Sequence, residues 1–455
     1  MALLPQKFQA VNTGFKFLIR SGSGLTPCAA VIAFFLSASA LGALPGVIEF
    51  GSRTPEEITD AEFSALLQAR AASADVIAIG ETVHGSSAFL KIQARLIRYL
   101  VVNHGLRLII WENPTLRSLE LSRWVASCTA AKTPVPIGVL YMPTASDFGL
   151  WDWICDYNRS HATDPIVFRG MDVWDRPWEH YSRIDSLSVR AGFEPPLVDV
   201  VRNSCPAYRS SSWTEVETIH ADVQRGGRFM PEADYEKCRA ALIAILNTSR
   251  RIASEKKKAN DPDADEVFEL AISASTMLGW LGFYNYNWSD DILSWNERDR
   301  AQGQNLMLLM EKHGAARAIV SAHTSHVSHN RSPADWWGYG DIKSGVFFFS
   351  SMTQKNVFNI ALTAYHATGT QGDWLLPIAR NSVDRKLHDS GHVFSFYFSD
   401  AAFLSEYPRW WMQNGNAAGF ENGVELVLND HFDAFVFFDR SPLDGALPQR
   451  PIWQP

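Results

Sequence analysis

Charged residues are scarce in this chain. Asp, Glu, Lys and Arg make up 20% of its 455 residues, and the balance is acidic, with a net charge of -8 and a pI near 5.9. A chain of that sign has no broad attraction for nucleic acid or for an anionic membrane surface, so neither is expected as a partner. Several signatures of catalysis and binding are also missing. No GxSxG elbow lies near a strand end, which removes the usual setting of a serine nucleophile. Neither GxGxxG nor a GxxxxGK phosphate loop occurs, so nucleotide binding has no support. Cysteine is limited to five residues, with no CxxC pair and no Cys/His ligand spacing, and a structural zinc site is not expected.

Acidic residues are absent before Glu49, while Lys7, Lys16 and Arg20 make the start of the chain positive. The apolar run Ala29 to Leu36 follows, and Ala38-Ser39-Ala40 or Leu41-Gly42-Ala43 supplies small residues for cleavage. Residues 1–40 are therefore expected to be a signal peptide, with an uncleaved N-terminal anchor as the alternative, because Leu25 to Ile48 is nearly long enough to span a bilayer. The expected location is secreted or periplasmic, and membrane-anchored only if the segment is retained. Cleavage removes three positive charges and leaves a mature chain at -11. Cys128, Cys155, Cys205 and Cys238 then remain, enough for two disulfides with three connectivities.

What the chain has in quantity is apolar surface. Forty-six per cent of its residues are hydrophobic and 16 are Trp, ample for a sizeable core. The densest pattern lies between Val76 and Asn113. Val76-Ile77-Ala78-Ile79 reads as a buried parallel strand, and Glu81, Thr82, His84, Gly85 and Ser86 follow it at once. A helix comes next, with Phe89, Ile92, Leu96, Ile97, Leu100 and Val101 at spacings of three and four, and Ser86 or Ser87 as its cap. Gly105 stops it, and Leu108-Ile109-Ile110-Trp111 forms a second strand ending on Glu112.

Thr59 to Ser73 reads as a helix capped by Thr59, Leu116 to Ala130 as another, and Thr133 to Ser146 as a Pro-rich loop. Trp151 to Ser160 is expected to be helical, leading into a strand from Ile166 that ends on Asp172. Residues 178–290 carry helical periodicity and almost no strand signal, in Ser212 to Arg225, Pro231 to Ala259 and Ala264 to Leu281. Alternation then resumes. A helix from Asn296 to Lys312 feeds the strand Ala318-Ile319-Val320, and further strands are expected at Gly345–Ser350, Asn359–Tyr365, Val393–Phe398 and Asp433–Phe438. The expected architecture is α/β. A mostly parallel central sheet is flanked by helices in one domain over residues 45–455, with a helical insertion at about 178–290 forming one wall of a deep cleft.

In open parallel sheets, ligands bind beyond the carboxyl ends of the strands. Four strand ends here deliver Glu81 with His84, Glu112, Asp172, and His323 with His326. Two chemistries fit. In one, His84 is a general base toward water, Glu81 or Glu112 orients it, and a protonated His323 or His326 faces the developing oxyanion. In the other, the same His/Glu set holds a divalent metal, although no HExxH helix is present.

These residues resemble the motifs of the erythromycin esterase family. Gly80-Glu81-Thr82-Val83-His84-Gly85-Ser86 is similar to its GExxHG opening, and Glu112 to its second glutamate. Phe168-Arg169-Gly170-Met171-Asp172 resembles a third strand motif. Asn296-Glu297-Arg298-Asp299 with Gln304-Asn305-Leu306 resembles a helix motif, and Ala322-His323-Thr324-Ser325-His326-Val327 an AHNxHV segment. Phe432 to Asp439 is similar to the closing strand. The resemblance implies metal-independent hydrolysis of a carboxylic ester, in the best-known members a macrolactone, with His84 activating water and no cofactor. Glu81, Glu112, His323 and His326 match the other active-site positions, and the implied partner is a small-molecule ester. Two positions depart from the pattern: Ala88 stands where an acidic residue is common, and Gln93 where an arginine is. Arg95 is the nearest cation able to stand in partly. Against the esterase reading stand the metal-dependent hydrolase and a non-catalytic ligand-binding member.

Overall fold

A computed structural model of the chain describes residues 47–67, 70–127, 145–193, 195–205, 230–286, 291–334, 336, 340–369, 372–373, 382–399, 410–413 and 423–441. The expected leader, the helix at Ser212–Arg225 and most of the Pro-rich loop lie outside these residues. In chain order the strands are β1 (Val47–Glu49), β2 (Val76–Glu81), β3 (Leu108–Pro114), β4 (Val167–Asp172), β5 (Ala318–His323), β6 (Val357–Gly369), β7 (Gly372–Asp373), β8 (Phe394–Phe398), β9 (Trp410–Gln413), β10 (Gly423–Leu426) and β11 (Ala434–Ser441). The helices are α1 (Asp60–Leu67), α2 (Ser87–His104), α3 (Arg117–Ser127), α4 (Ala145–Ser160), α5 (Pro177–Ala191), α6 (Pro195–Ser204), α7 (Glu232–Lys258), α8 (Ala264–Tyr286), α9 (Asp291–His313), α10 (Thr324–Val327), α11 (Gly345–Thr353), α12 (Val383–Asp389) and α13 (Leu428–His431).

The sheet runs β1-β8-β11-β6-β2-β5-β3-β4, with β7 paired to β6. From β11 to β4 every neighbour is parallel, and β8 and β1 close one edge antiparallel. β2 and β3 are consecutive in sequence, yet β5 lies between them. All six residues of β2 and all six of β5 are buried, as expected for strands covered on both faces.

Alternate side chains of these strands feed two apolar layers. Ile77, Ile79, Ile109 and Ile319 pack with residues of α1, α2, α3 and α4. Val76, Ala78, Ile110 and Val320 pack on the other face with α5 to α9. Each fully buried Leu, Ile or Phe contributes roughly 1.5–3 kcal/mol, so α2, which buries Phe89, Ile92, Leu96, Ile97 and Leu100, is held chiefly by this face. Its end follows from Gly105, whose φ of 67° permits the left-handed cap in which its N–H donates to Leu100 O.

The described parts of residues 177–286 are helical in α5 to α8. α8 is long and apolar enough to cross a membrane by composition, but it is buried inside the fold. Glu269 within it pairs with Arg169 of β4 at 2.6 Å and with Lys312 of α9, fixing the helix between strand and neighbour. The chain joins α6 to α7 through a Cys205–Cys238 disulfide, and Cys155 is disulfide-bonded as well.

Two local expectations change. Gly345–Ser350, a valine and phenylalanine run that reads as strand, is helix α11. Ser344 caps it by accepting from Phe347 N–H at 2.9 Å, and Gly303 lets α11 lie against α9. The Ser86 hydroxyl does not cap α2; it bonds to Ser441 O at 2.8 Å and Ser441 Oγ at 2.5 Å, tying the start of the helix to the end of β11.

Gly80 is required by close approach. A Cβ there would collide with Val327 and lie 2.9 Å from Thr324 Cα. Gly80→Ala is therefore expected to cost roughly 1–3 kcal/mol by overpacking. Urea unfolding measures it, and an unchanged midpoint contradicts the packing described.

Candidate active site

Parallel pairing makes neighbours of the first two groups: Glu81 on β2 is in register with His323 on β5. Beyond Glu81 the chain turns, with Gly85 at φ 77° just after His84, and His84 Nδ1 lies 2.8 Å from Glu81 Oε1. Glu112 arrives from β3, where the register with β4 shifts between Trp111 and Pro114. Such an irregularity re-aims a side chain. Glu112 Oε2 accepts the His323 backbone N–H at 2.7 Å and lies 3.9 Å from His84 Nε2. Its Oε1 is 3.1 Å from His326 Nε2.

A cation supplied by α9 completes the cluster. Arg298, 4% exposed, donates from Nη2 to Glu112 Oε1 at 2.9 Å and grips Asp172 through Nε at 3.0 Å and Nη2 at 2.8 Å. Gln302, one turn on, donates to Asp172 Oδ1 at 2.9 Å. Trp174 and Trp295 flank the guanidinium, with ring centroids 5.6 and 5.4 Å from its carbon. Asp299, the next residue of α9, holds His326 Nδ1 at 2.6 Å and accepts the Gly345 N–H at 2.8 Å.

The charges follow from these neighbours. Burial opposes ionisation of Glu112, but His326, His84 and Arg298 hold its carboxyl well below the usual range. Burial raises the Glu81 carboxyl, only partly countered by His84. For His84, burial works against the imidazolium, and Glu112 with Glu81 outweighs it, so the ring titrates above its ordinary value. His323 goes the other way: burial, then the nearby His84, push it well below the ordinary range, and it is neutral. It accepts Ser325 N–H at Nδ1 and faces Thr82 O with Nε2 at 3.2 Å. His326 is opposed by burial yet pushed up to about 9 by Asp299 and Glu112.

Glu81, His84, Glu112, Asp172, His323 and His326 thus come together at one sheet edge. Arg95 does not join them. Its guanidinium is spent on Ile58 O at 2.8 Å and on Asp60, in the outer layer beside Phe63. Arg298, Asp299 and Gln302 did not stand out as site residues in the sequence. Arg298 and Asp299 lie in the helix motif Asn296-Glu297-Arg298-Asp299, which carried the available signal, with Gln302 one turn further on the same helix. The side chain of His84 keeps 20% of its exposure, against 7% for Glu81 and 3% for Glu112 and His326.

Fold and site together define an α/β protein with histidines and carboxylates gathered beyond the carboxyl ends of parallel strands. The family model described as erythromycin esterase matches residues 101–441, and the chain belongs to that family. The matched range takes in Glu112, Asp172, Arg298, His323 and His326, and begins after Glu81 and His84. Among solved structures, a Bacillus cereus protein is similar with a TM-score of 0.67 and 17% identity, over 88% of this chain and 96% of its own. A succinoglycan biosynthesis protein matches with a TM-score of 0.65 and 16% identity, over 87% and 95%. A histidine-to-asparagine mutant of the erythromycin esterase EreC, in its open conformation, matches with 0.61 and 18% identity, over 86% and 96%. At these identities the likeness concerns the fold.

The raised His326 ties stability to pH. Its folded value lies above the unfolded value, so the stabilisation is fully present below about pH 6.5 and is lost as pH rises through about 9. Wild type is expected to lose up to about 3 kcal/mol more than His326→Gln between pH 6 and 10, measured by urea unfolding. Parallel curves for the two proteins would exclude the coupling.

Proposed function

We propose that the chain hydrolyses a carboxylic ester, lactones included, with water activated by His84. One observation carries the reading: His84 is bonded through Nδ1 to a buried carboxylate and is the most exposed side chain among Glu81, Glu112 and the histidines of the cluster. Membership of the erythromycin esterase family supports a hydrolase.

In the proposed reaction His84 Nε2 takes a proton from water as the oxygen adds to the acyl carbon. The tetrahedral intermediate expels the alkoxide, which regains the proton from the imidazolium, giving an acid and an alcohol, or one hydroxy acid from a lactone. Glu81 stabilises the imidazolium directly and Glu112 does so across 3.9 Å. Water rather than serine is the nucleophile, because the Ser86 hydroxyl is committed to Ser441. An imidazolium at His323 or His326 facing the oxyanion fits poorly. His323 is held neutral, and His326 is enclosed by Asp299, Glu112 and Arg298. His326 and Arg298 instead set the position and charge of Glu112.

Location outside the cytoplasm is proposed as well, supported by the Cys205–Cys238 disulfide. N-terminal sequencing of the exported protein is expected to begin just after residue 40 or 43, and an intact Met1 would favour the anchor.

A panel of esters and lactones, a macrolide included, tests the activity. His84→Ala is expected to lower kcat/KM by roughly 10²–10⁴-fold, and a chelator to leave wild-type turnover unchanged. No turnover by wild type, an equally active variant, or chelator-sensitive turnover with stoichiometric metal would each overturn the mechanism.

A further inference from the structure

α2 lies on the sheet with an apolar face made of Phe89, Ile92, Leu96, Ile97 and Leu100. One amide interrupts it. Gln93 is 1% exposed, its Nε2 donates to Glu81 Oε2 at 3.3 Å, and its buried Oε1 has no hydrogen-bond partner among the described residues. A polar group buried with one end unsatisfied is unfavourable for folding, and an apolar side chain would fill the position without that penalty. The amide's contact is with the carboxylate whose other oxygen holds His84.

We propose that Gln93 is a positioning residue: by donating to Glu81 it keeps that carboxylate ionised, and so fixes neutral His84 as the Nδ1–H tautomer. The proposal rests on His84 being the base of the preceding section. An ionised carboxylate only accepts, so His84 Nδ1 must carry the proton and Nε2 keeps its lone pair for water. If Glu81 instead takes a proton, its O–H donates to Nδ1, and the neutral ring carries its own proton on Nε2. That tautomer cannot deprotonate water at Nε2.

The surroundings push toward the wrong tautomer. Burial favours the protonated form of Glu81, the hydrogen bond and charge of His84 oppose it in part, and the charge of Glu112 on β3 adds to it. His326 of α10 faces Glu112, with Arg298 and Asp299 of α9 behind it. His323 of β5 is neutral, and on the β6 side Asp384 of α12 is bonded to Thr363. Among the described residues, Gln93 is the hydrogen-bond donor to Glu81 Oε2. Because the amide is neutral, it stabilises the carboxylate without competing for its charge with the His84 imidazolium.

The test combines ¹⁵N NMR of histidine-labelled full chain with kinetics, assigning His84 by its loss in His84→Gln. Wild type at high pH is expected to show the Nδ1–H pattern at His84. Gln93→Met, close in shape but without a donor, is expected to move most of the population to Nε2–H and to lower kcat roughly 10–100-fold, with KM little changed. Gln93→Arg, which restores a donor, is expected to regain the Nδ1–H form. A folded Gln93→Met that keeps the wild-type tautomer overturns the proposal. So does an Nε2–H tautomer in wild type, which needs no variant to fold. A tautomer shift in a chain that hydrolyses nothing would leave the role of Gln93 standing and remove the esterase reading. Hydrolysis with an unmoved tautomer would do the reverse.

Discussion

Arg298 occupies the point where this molecule would otherwise fail. A parallel sheet that brings Glu81, Glu112 and Asp172 from three of its strands to one end gathers negative charge in a buried place, and isolated buried carboxylates neutralise themselves by taking protons. The guanidinium bridges Asp172 and Glu112, and its planar fork satisfies both from one side. The charges of His326 and His84, joined by that of Arg298, keep Glu112 ionised. An ionised Glu112 in turn raises His84 and His326 and accepts the His323 backbone. The electrostatics of the site therefore includes a permanent charge from a side chain outside the sheet.

That dependence explains why the helical layer matters to a centre built on strand ends. α9 carries Arg298, Asp299 and Gln302 within one turn and a residue, and each reaches a different part of the cluster or a second bond to the same carboxylate. The helix is held in place by apolar packing and by the Arg169–Glu269–Lys312 pairing with β4 and α8. Paired, such buried charges add little net stability; broken, they are costly, and this makes the arrangement specific. The opposite layer contributes through Gln93, so Glu81 and Glu112 are each governed by a helix on a different face of the sheet.

The β-α-β unit from Val76 to Glu112 was legible from its apolar runs and three-and-four spacing, because a strand buried on both faces and a helix buried on one impose those periods. Among the described residues of the 178–290 block, the helices α7 and α8 were legible for the same reason. The run at Gly345 misled because phenylalanine and valine suit a strand intrinsically, whereas the Ser344 cap and the Gly303 contact with α9 decide for helix. Arg95 misled because helix spacing gives angular position only coarsely. Two residues past Gln93, it turns to Ile58 and Asp60 in the outer layer.

The sequence by itself determined which polar residues follow the apolar runs, although β3 continues past Glu112 to Pro114. Glu81, Glu112, Asp172 and His323 follow local apolar runs, and local periodicity settles where such a run stops. The tertiary structure decided what those residues mean to each other. It inserts β5 between β2 and β3, aims Glu112 between two histidines, enters Arg298 from α9 and buries Gln93 against Glu81. Strand order and helix placement come from contacts between residues far apart in the chain, and ionisation depends on those distances, which no spacing along the sequence encodes.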